Sequence, residues 1–216
     1  FLQREDTNKR DELTARGKLF WQPTPDLDFQ LALFHVDIDN GYDGFSLDNT
    51  RHTLSDEPGH DRQNTTAGSF KSIWSGSDVV VLEGIVSYLD ADLEYGYDED
   101  WAYVGICDGT ECEGWEYAST DNYIRDRKDA RLELRLLSGE SGVLFGNTAW
   151  VTGIYGYRRD EKLTREYGDN FGSDYTRNNL AVYGELDSQL SERWRLTAGA
   201  RVERFDAEYS DSLAVS

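Results

Sequence analysis

The chain has 216 residues, room for one sizeable domain or two small ones, and sets 42 Asp and Glu against 22 Lys and Arg, a formal net charge of −20. That balance repels phosphate backbones, and no Lys/Arg-rich run offsets it, so nucleic acid is not an expected partner. Aromatics at 13% argue against a solvated, disordered chain. No apolar run approaches the ~20 residues of a membrane helix, which leaves membrane strands of ~9–11 residues open.

Period-2 alternation dominates from the front. In "ELTARGKLFW", Leu13, Ala15, Leu19 and Trp21 oppose Thr14, Arg16 and Lys18. Less regular strands are predicted over Phe29 to Ile38 and Asn64 to Trp74. In the stretch from Asp78 to Asp90, Val80, Leu82, Val86 and Tyr88 oppose Glu83. "DARLELRLLS" places Ala130, Leu132, Leu134 and Leu136 against Arg131, Glu133 and Arg135. Val143 to Tyr157 forms another less regular strand. "NLAVYGEL" sets Leu180, Val182 and Leu186 against Tyr183 and Glu185, and "RWRLTAGARVERF" closes the series with Trp194, Leu196, Ala198, Ala200 and Val202 on one face. The pattern predicts eight strands, each with an apolar and a polar face, and no amphipathic helix.

Connection lengths alternate. "QPTPDLD", "SGSD", "SGES" and "SQLSER" are turn-forming and short. Between them, Asp39 to Gln63, Ala91 to Arg125 and Arg158 to Tyr175 are expected to be long polar loops. Short turns at one end, long loops at the other and an apolar strand face are the layout of an outer-membrane barrel; a soluble β-sandwich or propeller fragment is the alternative. Trp21, Trp74 and Trp194 stand beside short turns, where an aromatic girdle belongs, with Tyr88 and Tyr157 toward the long loops.

Candidate functional residues lie in the long loops: Tyr42 and Phe45 in the first, Trp101, Tyr103, Trp115 and Tyr117 in the second, Tyr167, Phe171 and Tyr175 in the third. Loop aromatics beside Arg and Asp suit ligand capture by stacking and by hydrogen bonds from the phenol, or pack the loops on one another. Cys107 and Cys112, in "GICDGTECEGW", are read as a small disulfide ring in an oxidising compartment, with two free thiols as the alternative. "HVDIDNGYDGFSLDNTR" resembles a calcium loop, but with Gly41 at its sixth position Val36 stands where the leading ligand belongs. Asp37, Asp39, Asp43 and Asp48 remain a looser option, and no metal site is assigned. The acidic run Asp90, Asp92, Glu94, Asp98, Glu99 and Asp100 is expected to be a solvated loop. No G-x-S-x-G, H-E-x-x-H or phosphate-cradling glycine motif occurs, so neither catalysis nor a cofactor is expected.

"NLAVYGELDSQLSERWRLTAGARVERF", with Leu196, Thr197, Gly199, Arg201 and Glu203 in an L-T-x-G-x-R-x-E strand, resembles a hairpin of TonB-dependent outer-membrane receptors. "REDTNKRDELTARGKLFWQPTPDLDF" is similar to the family's mid-barrel entry, and the similarity extends over nearly the whole chain. The resemblance implies an all-β antiparallel transmembrane barrel, of which residues 1–216 form an arc of about eight strands out of 22, in a bacterial outer membrane with long loops extracellular. It also implies uptake of a scarce small-molecule ligand, such as a ferric siderophore or other metal chelate, with outer-membrane lipid and TonB as partners. Without Met at position 1, a plug or a TonB box, the chain is expected to be processed or an excerpt. A small passive barrel or adhesin, a closed eight-stranded barrel and a secreted carbohydrate-binding β-domain are the competing expectations.

Overall fold

The computed structural model describes residues 7–47, 49–114 and 117–213. Eight strands follow one another: β1 (Glu12–Thr24), β2 (Leu27–Gly41), β3 (His60–Trp74), β4 (Val80–Asp98), β5 (Thr120–Ser138), β6 (Thr148–Glu166), β7 (Phe171–Ser191) and β8 (Trp194–Asp211). Each pairs antiparallel with the next, giving one sheet in the order β1-β2-β3-β4-β5-β6-β7-β8. β1 and β8 are its two edges, so these strands do not close into a small barrel of their own.

All eight sequence-predicted strands are present and most run longer than the apolar pattern marks, but β6, expected from Val143, begins only at Thr148 because 144–147 form a turn. β4 continues through Tyr95 and Tyr97 to Asp98, and β5 begins at Thr120. The loops reduce to 42–59, here L1, and 99–119, here L2. The third expected long loop is instead a tight connection of residues 167–170, because β6 and β7 pair from Arg165↔Phe171 downward. Here both faces are polar, so hydrophobic alternation cannot report the strand. Cross-strand polar contacts hold it, Thr176 to Asp160 at 3.1 Å between β7 and β6 and Arg125 to Glu161 at 3.5 Å between β5 and β6. Phe171 and Tyr175 are therefore strand residues.

Register assigns the faces. Leu19 lies opposite Leu31, Leu31 opposite Phe70, Phe70 opposite Val86, and Val86 opposite Leu132. Leu134, Ile154, Val182 and Val202 continue the same face across the sheet. These side chains stay exposed, Leu134 at 46% and Val202 at 77%, in a contiguous apolar band. On β4 the band runs from Val80 to Tyr88, close to the ~9–11 residues a tilted membrane strand needs. Trp21 and Trp74 border it at the short-turn end, and Tyr88 at the other. Beyond Tyr88 the same face turns charged, with Asp90, Asp92 and Glu94 on β4, Lys128 and Asp126 on β5, and Arg158 and Asp160 on β6. The strands thus extend well past the height of a bilayer.

Tyr157 is placed differently from Tyr88. It lies opposite Arg131, on the polar face, where its phenol donates to Asp129 at 3.0 Å. That face carries a continuous network. Glu83 takes Lys71 at 3.3 Å and Arg135 at 3.2 Å, and Glu133 pairs with Arg131 and accepts from the Tyr183 hydroxyl at 2.6 Å. Gly153 makes the last contact possible: a Cβ there would stand 2.6 Å from the Tyr183 phenol, which crosses the glycine to reach Glu133. Arg201 pairs with Glu203 and lies over the Tyr155 and Tyr183 rings. Small residues of this face, Val36, Ala91 and Ala181, are buried. Burial is thus inverted relative to a water-soluble domain: large apolar side chains are exposed, and the polar face is the covered one.

Arginine in place of Leu134, at the centre of the apolar band, should destabilise the full-length protein in a bilayer by about 2–4 kcal/mol. Arginine at Thr164, on the same face but above the band, should change stability by no more than about 0.5 kcal/mol. Reversible denaturant unfolding in lipid vesicles measures both.

Candidate ligand-binding site

Above the band, the polar face of β3–β5 carries Asp61, Gln63, Leu93, Tyr95, Tyr97, Tyr123 and Arg125, because alternation continues past the apolar segment. With Phe45 from L1 these residues line a cavity of about 470 Å³. Tyr95 and Tyr123 rings lie 6.3 Å apart, Tyr95 and Tyr97 5.8 Å. Such a wall offers ring faces, phenol hydroxyls, a guanidinium and carboxylates to one small molecule, the mixture by which concave sites bind and orient ligands.

L1 roofs it. Phe45 stacks on Trp101 of L2 with centroids 4.8 Å apart and planes 5° from parallel, and also lies 5.7 Å from the Tyr97 ring. Tyr42 meets Tyr95 edge-on at 4.9 Å and Phe45 at 5.8 Å. Burial, and after it a hydrogen bond with Tyr42, raise the Tyr95 phenol above its usual titration range. The structure thus brings Tyr42, Phe45 and Trp101 into one cluster, where they pack the two loops together, Phe45 also lining the cavity. Tyr103 lies further along L2, its carbonyl accepting from the Ile106 amide at 3.1 Å. Tyr117 is an exposed residue near the end of L2, its phenol raised first by a hydrogen bond to Glu99. Trp115 lies outside the described residues. Cys107 and Cys112 are bonded to each other, with Cys107 buried.

Backbone amides of the loops are held by carboxylates. Asp98 accepts from the Asp56 amide at 3.0 Å, and Asp56 in turn accepts from the Val104 amide at 3.0 Å, so each loop is tied to a carboxylate outside itself. Asp100 accepts from Ser119 at 3.2 Å, joining the two ends of L2, and Asp43 accepts from Gly59 at 2.9 Å, joining those of L1. The run expected to be a solvated loop is therefore mostly strand, and Asp98 is 3% exposed. Asp37 and Asp39 are on β2, Asp39 held by Lys9 at 3.1 Å and Arg62 at 2.8 Å; Asp48 lies outside the described residues. Among the described residues, no group of three or more His, Cys, Asp or Glu side chains could hold a metal ion.

One ion pair, built on a buried carboxylate, stands beside the cavity wall. Asp121, 2% exposed, accepts both Arg165 nitrogens at 2.8 Å, together with the Tyr123 and Tyr97 hydroxyls at 3.1 and 3.4 Å. Arg165 lies over the rings of Tyr123 at 5.1 Å and Tyr167 at 4.8 Å, and beside it the Asp121 carboxyl is held below its ordinary range. Sequence reasoning missed Tyr95, Tyr97, Tyr123 and Arg125. Their signal was the two-residue spacing of Tyr95 with Tyr97 and of Tyr123 with Arg125, inside segments too polar to read as strand.

The profile of the family described as "TonB dependent receptor-like, beta-barrel" matches residues 4–216. No curated protein matches the sequence. Among solved structures, the ferric yersiniabactin uptake receptor FyuA from Yersinia pestis is similar in fold, with a TM-score of 0.64 at 14% identity over 93% of this chain. The chain spans 34% of that receptor's length.

Asp121→Asn should cost about 1–2 kcal/mol, at the low end for a broken buried pair because Arg165 retains some solvent. With a depressed carboxyl, the pair's contribution is complete above the ordinary Asp value of ~4 and is lost as pH falls below it. Hydrogen exchange in the outer ends of β4, β5 and β6 should therefore accelerate in acid in the parent protein and already be fast in the variant.

Proposed function

The chain belongs to the TonB-dependent receptor β-barrel family, and on that premise we propose that it forms an arc of a larger, 22-stranded barrel that imports a scarce nutrient with energy delivered by TonB. As a family member it is an outer-membrane receptor and transport protein, not an enzyme. The apolar band faces lipid, the polar face lines the lumen, and L1 and L2 lie outside the cell. Ferric siderophores or similar metal chelates are the proposed cargo.

The observation that carries this reading is the cavity beneath Phe45 of L1. It opens on the polar face above the level of the apolar band, where a ligand descending from outside meets the wall first. Tyr95, Tyr97 and Tyr123 supply stacking surface and Arg125 a cation for a chelate's anionic or carbonyl oxygens. The strand network supports the reading as well, since a rigid wall leaves the loops to select the ligand.

Ligand binding to the purified full-length receptor, followed by tryptophan quenching across a panel of ferric siderophores, cobalamin, haem and glycans, tests it. One class should bind at micromolar concentration or better, and the double variant Tyr123→Ala, Arg125→Gln should weaken it about 10- to 100-fold, the effect of losing one stacking and one charge-assisted contact. Unchanged binding in that variant, or uptake that persists in cells lacking TonB, would overturn the reading.

A further inference from the structure

Arg125, Arg165 and Arg62 stand around the aromatic cavity, and each is already held by a carboxylate. Arg165 gives two nitrogens to Asp121, and Arg125 faces Glu161 at 3.5 Å. Arg62 is turned to the other face of the sheet, between Asp39 at 2.8 Å and Glu94 at 3.4 Å. Asp61 differs. It lines the cavity from the polar face, and among the described residues no cation pairs with it. Its cross-strand neighbours are Asn40, whose side-chain amide goes to Glu12 at 2.9 Å, and Tyr95, which brings a ring. The cavity wall therefore keeps one uncompensated negative charge.

The rings beside Asp61 suit a cation as well. Tyr97 and Tyr123 donate their hydroxyls to Asp121, at 3.4 and 3.1 Å, so toward any further partner these phenol oxygens only accept. Elsewhere on the polar face a guanidinium lies over the rings of Tyr155, Tyr157 and Tyr183, and Arg165 lies over Tyr123. Among the described residues no such cation covers Tyr95 or Tyr97, although both line the cavity and Asp61 lies opposite Tyr95. An aromatic face attracts a cation through its quadrupole, and a carboxylate at its edge adds to that attraction.

We propose that the cavity binds a positively charged group of the cargo, an alkylammonium held against the Tyr95 and Tyr97 rings with the Asp61 carboxylate as its counter-ion. A protonated amine places one N–H on Asp61 and offers the others to phenol oxygens, while its alkyl stem lies along Leu93 and Phe45. The cavity, about 470 Å³, is larger than an ammonium alone, so part of the attached cargo enters with it. Across the chain 42 Asp and Glu stand against 22 Lys and Arg, a balance that draws a cation toward the site and repels an anion. Arg125 keeps nitrogens for a carbonyl oxygen of the same cargo, but beside Glu161 it adds no net positive charge. The inference rests on the proposed role of the cavity and narrows it: a chelate recognised here carries its positive charge on an amine arm.

The full-length receptor in detergent, titrated with para-fluorobenzylammonium and followed by the probe's fluorine NMR signal, tests this with neither cargo nor TonB present. The ammonium should bind about tenfold more tightly than para-fluorobenzyl alcohol, which matches its ring and size without the charge. Asp61→Asn should remove most of that preference and Asp61→Glu should retain it. Tyr95→Leu should weaken the ammonium about threefold more than the alcohol. Glu140→Gln, in the short turn between β5 and β6 at the other end of the sheet, should behave like the parent. Equal affinity for the two probes, an undiminished preference in Asp61→Asn, or the same loss in Glu140→Gln would overturn the proposal. If Tyr95→Leu does not fold, the two Asp61 variants decide. An ammonium preference in a receptor whose uptake persists without TonB overturns the transport reading alone. A cargo lost in the Tyr123, Arg125 double variant of a receptor with no ammonium preference overturns this inference alone.

Discussion

A strand in hydrocarbon must pair every backbone amide and carbonyl with a neighbouring strand, because no water is there to replace a missing partner. Antiparallel neighbours meet that requirement with the shortest connections, and pairing then locks side chains to alternate faces. The rest of this structure depends on that lock. With Leu134 turned to one side, Arg135 and Glu133 have no choice but the other. The network of Glu83, Arg135, Glu133, Arg131, Tyr183 and Arg201 is therefore a consequence of the ladder as much as of attraction between charges. In the covered interior of a barrel such a network is consistent with rigidity, since each carboxylate holds a strand neighbour in place.

The same ladder explains why the candidate site stands above the apolar band. The strands do not stop where their apolar positions stop. They continue on cross-strand polar pairs, and the polar face is carried upward with them, so that Tyr95, Tyr97, Tyr123 and Arg125 arrive on it at regular spacing. The loops above are short of apolar material. They close by stacking the few rings they have, Phe45 on Trp101 and Tyr42 on Tyr95, and by capping their own amides with carboxylates. An acidic composition that repels polyanions at long range is in this way used locally as a set of hydrogen-bond acceptors.

Strand number, order and facing were legible in the sequence wherever one face is apolar. Leu132, Leu134 and Leu136 against Arg131, Glu133 and Arg135 leave a single assignment. The outer halves of β4, β5, β6 and β7 were not legible, because Arg158 to Glu166 and Phe171 to Asn178 are polar on both faces and look like loop. Two features of the site followed from that error. Asp98 was read as one acid in a solvated run, and the aromatic residues of the wall were overlooked in favour of those in the loops. Tyr42, Phe45 and Trp101 were singled out by type, and their mutual stacking could not be seen without the fold.

By itself, then, the sequence determined an eight-stranded antiparallel meander with one lipid-compatible face, because hydrophobic periodicity is a local property of the chain. It also carried the family resemblance, in the ordered pieces Asn179 to Phe205 and Arg4 to Phe29. Only the tertiary structure decided where the strands end, which loop rings meet, and that Asp98 lies buried beneath the Asp56 amide. Those outcomes depend on register between segments dozens of residues apart, and register is settled by cross-strand pairing rather than by any one segment's composition.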